Sequence, residues 1–567
     1  MNKRLRYPAI AVLLAAVAAL TIRAAHDDFG LGRNMEIAVN MMRELSVGYV
    51  DPIDPDRLMQ GAAAGMVRDL DPYTEYIPEE EMSDFELLTT GKYGGVGSLI
   101  RKKGDWVTFA QPYEGSPADR AGIRIGDRIL SIDGKSAEGF TTEQVSALLK
   151  GDPGSKVRIG IERLDGTRSN LTLTRERIAI PSVPYAGRVA GGIGYVRHSD
   201  FTEGSYEELR AAIERLRSEG PLEGLILDYR SNGGGILQEA VRILSMFVPK
   251  GTEVVSTRGR TEASKQTYRT QSEPAFADLP LAVLVNGQTA SAAEIVAGAL
   301  QDLDRAVLIG QRSFGKGLVQ STRPLGYNAM LKLTTAKYYI PSGRCIQAID
   351  YSLSQQGTVS EVADSLVREF TTRTGRKVYD GGGIMPDIVT EPEYISRFAA
   401  TLYALGFIDD FGDEYTRRHP DAVIGPGFTL GDEEYARFAE FMRDKEVPYE
   451  SDTRRALRTL KQAAESDRFD ALSEEFARLE AELKDDTAAN LETYRRQVTE
   501  EIENDLILRH AYMAGVIAHS LPRDGEVQRA VALLRDRGEH ARILARQDTQ
   551  RSAPASGRES ETSDPAE

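Results

Sequence analysis

The sequence predicts a multidomain α+β protein, and three observations carry that prediction. The chain has 567 residues, far more than one small core needs, so roughly two to four domains are expected. From Val183 to Val389, apolar runs of strand length alternate with amphipathic helical stretches, the pattern of an α/β core with crossover connections. From Thr90 to Ile178 the texture is different: short strand-like runs separated by glycine-rich turns, with helical periodicity before this region and after the core.

The balance of residues narrows the function classes. The formal net charge is -16, which leaves no electrostatic footprint for nucleic acid and speaks mainly to solubility. The single cysteine, Cys345, allows neither an intrachain disulfide nor a cysteine-rich zinc site.

At the N-terminus, Lys3, Arg4 and Arg6 precede an apolar run from Ala9 to Ile22. A short basic segment followed by a short apolar one is an export signal. The run is short for a span of about 20 residues. Arg23 spoils the small-x-small cleavage pattern at Arg23-Ala24-Ala25-His26, so a cleaved signal peptide and a retained anchor both fit residues 1–25. Either places the body of the protein outside the cytoplasm. Residues 31–88 then read as a small helical region, with Ile37, Met41, Leu45, Leu58 and Met66 on apolar faces.

In residues 89–178, Tyr93-Gly94-Gly95-Val96-Gly97 leads into the run Ser98-Leu99-Ile100. A glycine-rich loop ahead of a strand can offer several N–H groups to a carboxylate, and the strand can add an extended peptide to a sheet edge. Taken alone, the three glycines read as a tight turn. The segments Gly115 to Ile123 and Gly126 to Gly134 change the balance: over its whole length this region resembles a PDZ domain. That resemblance implies that Tyr93, Gly94, Gly95, Val96 and Gly97 form a loop that takes a C-terminal carboxylate.

The α/β core spans residues 179–390. Leu281 to Val285 reads as a buried strand, Asn286-Gly287 as a turn and Ala292 to Leu300 as a helix. Ser291 therefore sits at a helix N-terminus, where free N–H groups and a positive dipole end can hold a nucleophile and the oxyanion it creates. A serine hydroxyl needs a base. Of six histidines only His198 lies in the core, and no sequence feature pairs it with Ser291. Lys316, flanked by Gly315 and Gly317 in a short loop between strands, is the other candidate. It must be neutral to act, which burial or a positive neighbour would favour.

Asn286 to Ile295 and Gly315 to Gln320, together with Asp228 to Gly235 and Gly381 to Asp387, resemble the signatures of the carboxyl-terminal processing proteases of the S41 serine peptidase family. With the PDZ-like region, the resemblance covers about residues 35 to 390 in the family's order. It implies Ser291 as nucleophile, Lys316 as general base and Gln320 as the residue that holds the lysine amine. It also implies an oxyanion hole from the N–H groups of Ala292 and a glycine of the Gly233–Gly235 run, taken as Gly234. No metal or organic cofactor is implied. The expected substrates are exported proteins with exposed apolar C-termini, and the expected location is the periplasm, free or anchored at the inner membrane. A homo-oligomer, in the form of a dimer, and an adaptor protein are expected partners. The alternative is a non-catalytic PDZ scaffold that binds exported tails.

The C-terminal extension, residues 391–546, is helical and highly charged and shows no catalytic pattern, as a structural or dimerising domain would. Residues 547–567 are Ser, Pro, Arg, Glu and Asp in texture and read as a disordered tail.

Overall fold

In the computed structural model, which describes residues 30–351, 360–361, 365, 367–483 and 486–545, the α/β core is built on a six-stranded sheet. The expected signal or anchor segment, 1–25, and the expected tail, 547–567, lie outside the described residues. The strands are β1 (Tyr185–Ala190), β2 (Ile193–Arg197), β3 (Gly224–Asp228), β4 (Leu281–Val285), β5 (Ala306–Gly310) and β6 (Ile388–Val389), in that spatial order. β1 runs antiparallel to β2, and the other neighbours are parallel. Every residue of β3, β4 and β5 is buried. Strands covered by helices on both faces read as unbroken apolar runs, which is the pattern these segments carry.

One face is covered by α1 (Ser205–Ser218), α2 (Leu237–Leu244) and α3 (Ala292–Asp302). α3 is buried along its entire length, so its polar side chains need internal partners. Gln301 and Asp302 find one in Arg344, each at 2.8 Å. Glu294 finds others at the site described below.

The C-terminal extension includes α4 (Phe407–Arg418), α5 (Arg495–Ser520), α6 (Gly525–Arg535) and α7 (Arg537–Leu544). It serves two cores. α4 and α5 pack with their neighbours around Phe398, Phe411, Phe438, Val498 and Ile502. α6 instead lays Val527, Ala530, Val531 and Leu534 on Ile193, Ile226, Leu284 and Ile309, and so covers the second face of the six-stranded sheet. Residues expected to form a separate helical domain thus complete the α/β sandwich.

The PDZ-like region is an antiparallel sheet in the order Ser98–Lys103, Trp106–Pro112, Arg128–Ile132, Lys156–Glu162 and Arg168–Thr174. Ser98–Lys103 is its edge strand, and the helix Thr142–Leu149 lies beside that edge. Thr141 and Gln144 close a reciprocal cap on that helix, at 2.9 and 3.3 Å. Lys103 reaches Asp409, Asp410 and Asp413 of α4, and Arg509 of α5 closes on Asp409 and Asp413 at 2.8 and 2.7 Å. These three clustered carboxylates are thereby neutralised by cations rather than left open to a metal.

Residues 30–82, with 320–334 and Tyr351, form a unit of their own. It contains helical residues 30–48 and the helix Pro55–Val67, whose N-cap Asp54 accepts from Asp56 N–H at 3.0 Å. Its strand Glu75–Ile77 pairs antiparallel with Met330–Lys332. Leu31, Met35, Ile37, Val39 and Met41 of the first helix are exposed. Among the described residues, no helix is long and apolar enough to cross a membrane.

Candidate active site

The strands β3, β4 and β5 release their loops side by side at their C-terminal ends, where open α/β sheets bind ligands. The first loop runs from Tyr229 to Gly235, the second from Asn286 to Ser291 and the third from Gln311 to Gly317. Side chains stitch the first two together. Asn286 Oδ1 accepts from Ser231 N–H at 2.9 Å, Thr289 Oγ1 donates to Tyr229 O at 2.9 Å, and Ala290 N–H donates to Asn232 O at 2.9 Å.

Ser291 is the N-cap of α3, with φ 57 and ψ -119. A non-glycine residue held there stores roughly 1–3 kcal/mol of strain, and such strain clusters at functional sites. The surrounding hydrogen bonds hold it. Glu294 Oε2 accepts from Ser291 N–H at 2.8 Å and from Lys316 N–H at 2.9 Å. Glu294 Oε1 accepts from Ser313 Oγ at 2.6 Å and from Gly315 N–H at 2.8 Å. One carboxylate therefore ties the serine turn to the lysine loop. The buried Tyr338 hydroxyl joins the same two residues from the carbonyl side: it lies 3.1 Å from Ser291 O and donates to Lys316 O. Glu294 is fully buried, and that burial pushes its carboxyl up to about 7 against the hydrogen bonds that favour the charged form.

Gly234 packs directly on the serine. A Cβ there would stand 2.6 Å from Ser291 Cβ and 2.8 Å from Ala292 N, and its φ is +95. Only glycine fits this close approach. The Gly234 N–H donates to Asn232 Oδ1 at 2.8 Å, and Asn232 Nδ2 donates to His198 O at 2.8 Å.

On the far side of this loop lies Asp228, the last residue of β3 and fully buried. It accepts from Tyr195 at 2.6 Å, Arg197 at 2.8 Å and Arg230 at 2.7 Å. Burial alone would raise its carboxyl, but the two guanidiniums overcome that and hold it well below the usual range. Arg230 also reaches Asp524 at 2.7 Å and Glu526 at 2.9 Å, so the start of α6 is pinned to the glycine loop.

The structure brings Ser291, Ala292, Gly234 and Lys316 together. Lys316 is half-buried. Gln320 belongs to the other unit, where its Nε2 donates to Thr334 Oγ1 at 3.2 Å and Thr334 Oγ1 donates to Asp71 Oδ1 at 3.1 Å. His198 is enclosed by Phe201 and Tyr229, with ring centroids at 4.6 and 5.4 Å. Burial drives its imidazole down to about 3, so it is neutral at ordinary pH.

In the PDZ-like region, Lys92–Gly95 pairs with Glu176–Ala179, which holds Tyr93, Gly94 and Gly95 ahead of the edge strand. A Cβ at Gly97 would stand 2.4 Å from Ser116 Cβ, and one at Gly95 would stand 2.8 Å from the Tyr93 ring. Val96 is buried, with its O accepting from Ala118 N–H at 2.9 Å. Burial pushes the Tyr93 phenol up, opposed by the backbone N–H groups of Ser98 and Gly97.

Sequence reasoning found the serine and the lysine but missed Glu294 and Tyr338. The spacing of Ser291 and Glu294 is that of a capping box, which was the available signal. Tyr338, in a strand, carried none.

Three stretches of the chain match known protein families. Residues 192–353 match the family described as "Peptidase family S41", residues 108–163 match "PDZ domain", and residues 398–534 match "Probable PDZ-protease, C-terminal helical domain". The carboxy-terminal-processing protease of Bartonella bacilliformis is 40% identical over 305 residues, which cover 53% of this chain and 70% of the relative. A CtpA-like serine protease of Staphylococcus aureus is 34% identical over 315 residues, 55% of this chain and 62% of the relative. The carboxy-terminal processing protease CtpA of Bacillus subtilis is 33% identical over 304 residues, 53% of this chain and 64% of the relative. Among solved structures, the photosystem II D1 C-terminal processing protease aligns at 28% identity. That alignment covers 63% of this chain and 87% of that one, at a TM-score of 0.34, too low to bear on the geometry.

Proposed function

We propose, for a chain that belongs to peptidase family S41 and within it to the carboxy-terminal-processing proteases, that Ser291 and Lys316 are the nucleophile and base of a serine endopeptidase directed at protein tails. The observation that carries this reading is the shared carboxylate: Glu294 Oε2 accepts from the N–H groups of both Ser291 and Lys316. Two segments that a dyad must align are held by one atom. His198, the other base considered, has its ring packed against Phe201 and Tyr229.

Ser291 Oγ attacks a peptide carbonyl while Lys316 takes its proton and hands it to the leaving amine. Water then attacks the acyl-enzyme with Lys316 again as base. The Ala292 N–H, at the start of α3, is one oxyanion donor, worth roughly 3 kcal/mol of barrier. Gly234 supplies the second by exchanging Asn232 Oδ1 for the substrate oxygen. The chemistry calls on no metal or organic cofactor.

Substrates are exported proteins with exposed apolar C-termini. Their terminal carboxylate docks on the loop Tyr93 to Gly97, and their last residues extend the sheet at the edge strand Ser98–Lys103. Residues 1–25 direct the enzyme to the periplasm, released or anchored to the inner membrane. The exposed apolar face of residues 30–48 supports a homodimer, and delivery of substrate by an adaptor protein fits the same scheme.

The test is cleavage by purified enzyme. Ser291→Ala and Lys316→Ala are each expected to abolish cleavage while thermal unfolding stays cooperative. Robust cleavage by Lys316→Ala sinks the dyad. The wild type is expected to cleave an exported protein ending in apolar residues and to spare one ending in charged residues. Equal cleavage of both removes the tail-reading role.

A further inference from the structure

We infer that Glu294 is the positioning residue that sets Ser291 and Lys316 in register, and that its ionised form does so more firmly than its protonated form; the inference rests on the dyad reading above. A carboxylate has about four acceptor sites and no donor. Glu294 uses them on Ser313 Oγ, Gly315 N–H, Ser291 N–H and Lys316 N–H, at 2.6, 2.8, 2.8 and 2.9 Å. Ser313 Oγ is itself fixed by Ile384 N–H at 2.6 Å. A proton on Oε1 is kept only by reversing the Ser313 contact, and it turns the bonds from Gly315, Ser291 and Lys316 N–H into weaker neutral ones; a proton on Oε2 puts a donor against two N–H donors. An amide side chain has the same defect in both orientations. Ser291 is also held at φ 57, a strained position that the Oε2 bond helps maintain.

Charged groups on the elements packed against α3 are engaged elsewhere. Glu239 and Arg242 of α2 pair with each other at 3.0 Å, and Asp302 of α3 pairs with Arg344 at 2.8 Å. On the strand Glu253–Gly259, Glu253 pairs with Arg269 at 2.9 Å and Arg258 stacks on the Tyr339 ring at 4.2 Å. β5 carries no charge. The titratable neighbours that remain are Lys316, whose backbone Glu294 binds, and Tyr338. Burial, opposed by these hydrogen bonds, places the carboxyl at about 7, so its protonation changes across the neutral range.

Two measurements test this. The first is the pH dependence of kcat and KM for wild type and Glu294→Gln. The variant is expected to lose about 100-fold in kcat at alkaline pH, the cost of slight misplacement, with KM unchanged. The acid limb centred near 7 is expected to vanish. A limb near 7 that persists in Glu294→Gln overturns the inference, whatever happens to kcat. The second is amide hydrogen exchange on Ser291→Ala, which needs no activity. Protection of the segments holding residue 291 and Lys316 is expected to fall together as pH drops through 7. Flat protection across that range overturns the inference even if Glu294→Gln fails to fold. Activity retained by Ser291→Ala or Lys316→Ala defeats the dyad reading instead and leaves the exchange result to judge the tether by itself.

Discussion

Asp228 and Glu294 are both fully buried carboxylates at the C-terminal edge of the same sheet, one beneath the glycine loop and one beneath the serine turn. Their surroundings are opposite in kind. Asp228 faces two guanidiniums and a phenol, and its carboxyl is held low. Glu294 faces one hydroxyl and three backbone N–H groups, and its carboxyl rises to about 7. Burial penalises both charges, and only a countercharge offsets it fully. The difference separates two jobs. A group ion-paired at every working pH fastens the glycine loop permanently. A group held by neutral donors ties the serine turn to the lysine loop, and on the inference above it does so most firmly when it is ionised.

The largest expected effect comes from breaking the permanent side. Asp228→Asn leaves Arg197 and Arg230 short of their shared anion, and removing one partner of a buried pair costs about 3–5 kcal/mol. The loss is to be read from urea unfolding at neutral pH. Asp228 is depressed below its unfolded value of 3.8, so its contribution is present above that pH and fades only as pH falls further. A stability unchanged by Asp228→Asn means that Asp524 and Glu526 suffice to hold Arg230, and the permanent fastener is then α6.

Glu294 should shift stability in the other direction. Its folded-state pKa of about 7 lies above its unfolded value of 4.5. The group's contribution is therefore complete below 4.5 and is lost as pH rises through 7, by roughly 3 kcal/mol in total. Of the two carboxylates, Glu294 alone imposes a slope between about pH 4.5 and 7. Urea midpoints of Glu294→Gln should lack that component of the wild-type slope. A slope of equal size in both proteins would assign it to another group and bring the two carboxylates back into one class.

Gly234 lies between the two fasteners, and alanine there should cost roughly 1–3 kcal/mol through overpacking against Ser291 and Ala292. Activity should fall with it, because the added methyl group would stand against Ser291 and the Ala292 N–H, where the oxyanion hole is proposed. If Gly234→Ala keeps full activity, the glycine loop does not line the oxyanion site and the second donor comes from elsewhere.

Much of this architecture was legible in the sequence because it rests on local signals. The apolar run Leu281–Val285 announces a buried strand, and Asn286-Gly287 announces the turn that presents Ser291. Glu294 was half legible. Its spacing from Ser291 marks a cap, but nothing local says that the same carboxylate reaches Lys316, 22 residues further on. The helix Gly525–Arg535 was legible as a helix and not as a layer of the α/β core, because an apolar stripe does not name the surface it covers. Gln320 was expected at the Lys316 amine from the resemblance, and in the structure its side-chain amide donates to Thr334.

The smallest expected effect sharpens the comparison most, because it separates the two links between serine and lysine. Tyr338 is 1% exposed and its ring packs in the main core, so phenylalanine should fill the same space. What Tyr338→Phe removes is the hydroxyl that touches the carbonyls of Ser291 and Lys316, a neutral hydrogen bond worth about 1 kcal/mol net. Stability should drop by about that amount in urea unfolding, and kcat should fall far less than in Glu294→Gln. The acid limb near 7 should remain where it is in the wild type, since the carboxylate beneath the serine is untouched. If Tyr338→Phe abolishes that limb, the titrating unit is the hydroxyl and carboxylate acting together. Register between Ser291 and Lys316 would then be set from both sides of the turn, and Glu294 would be only one part of the tether.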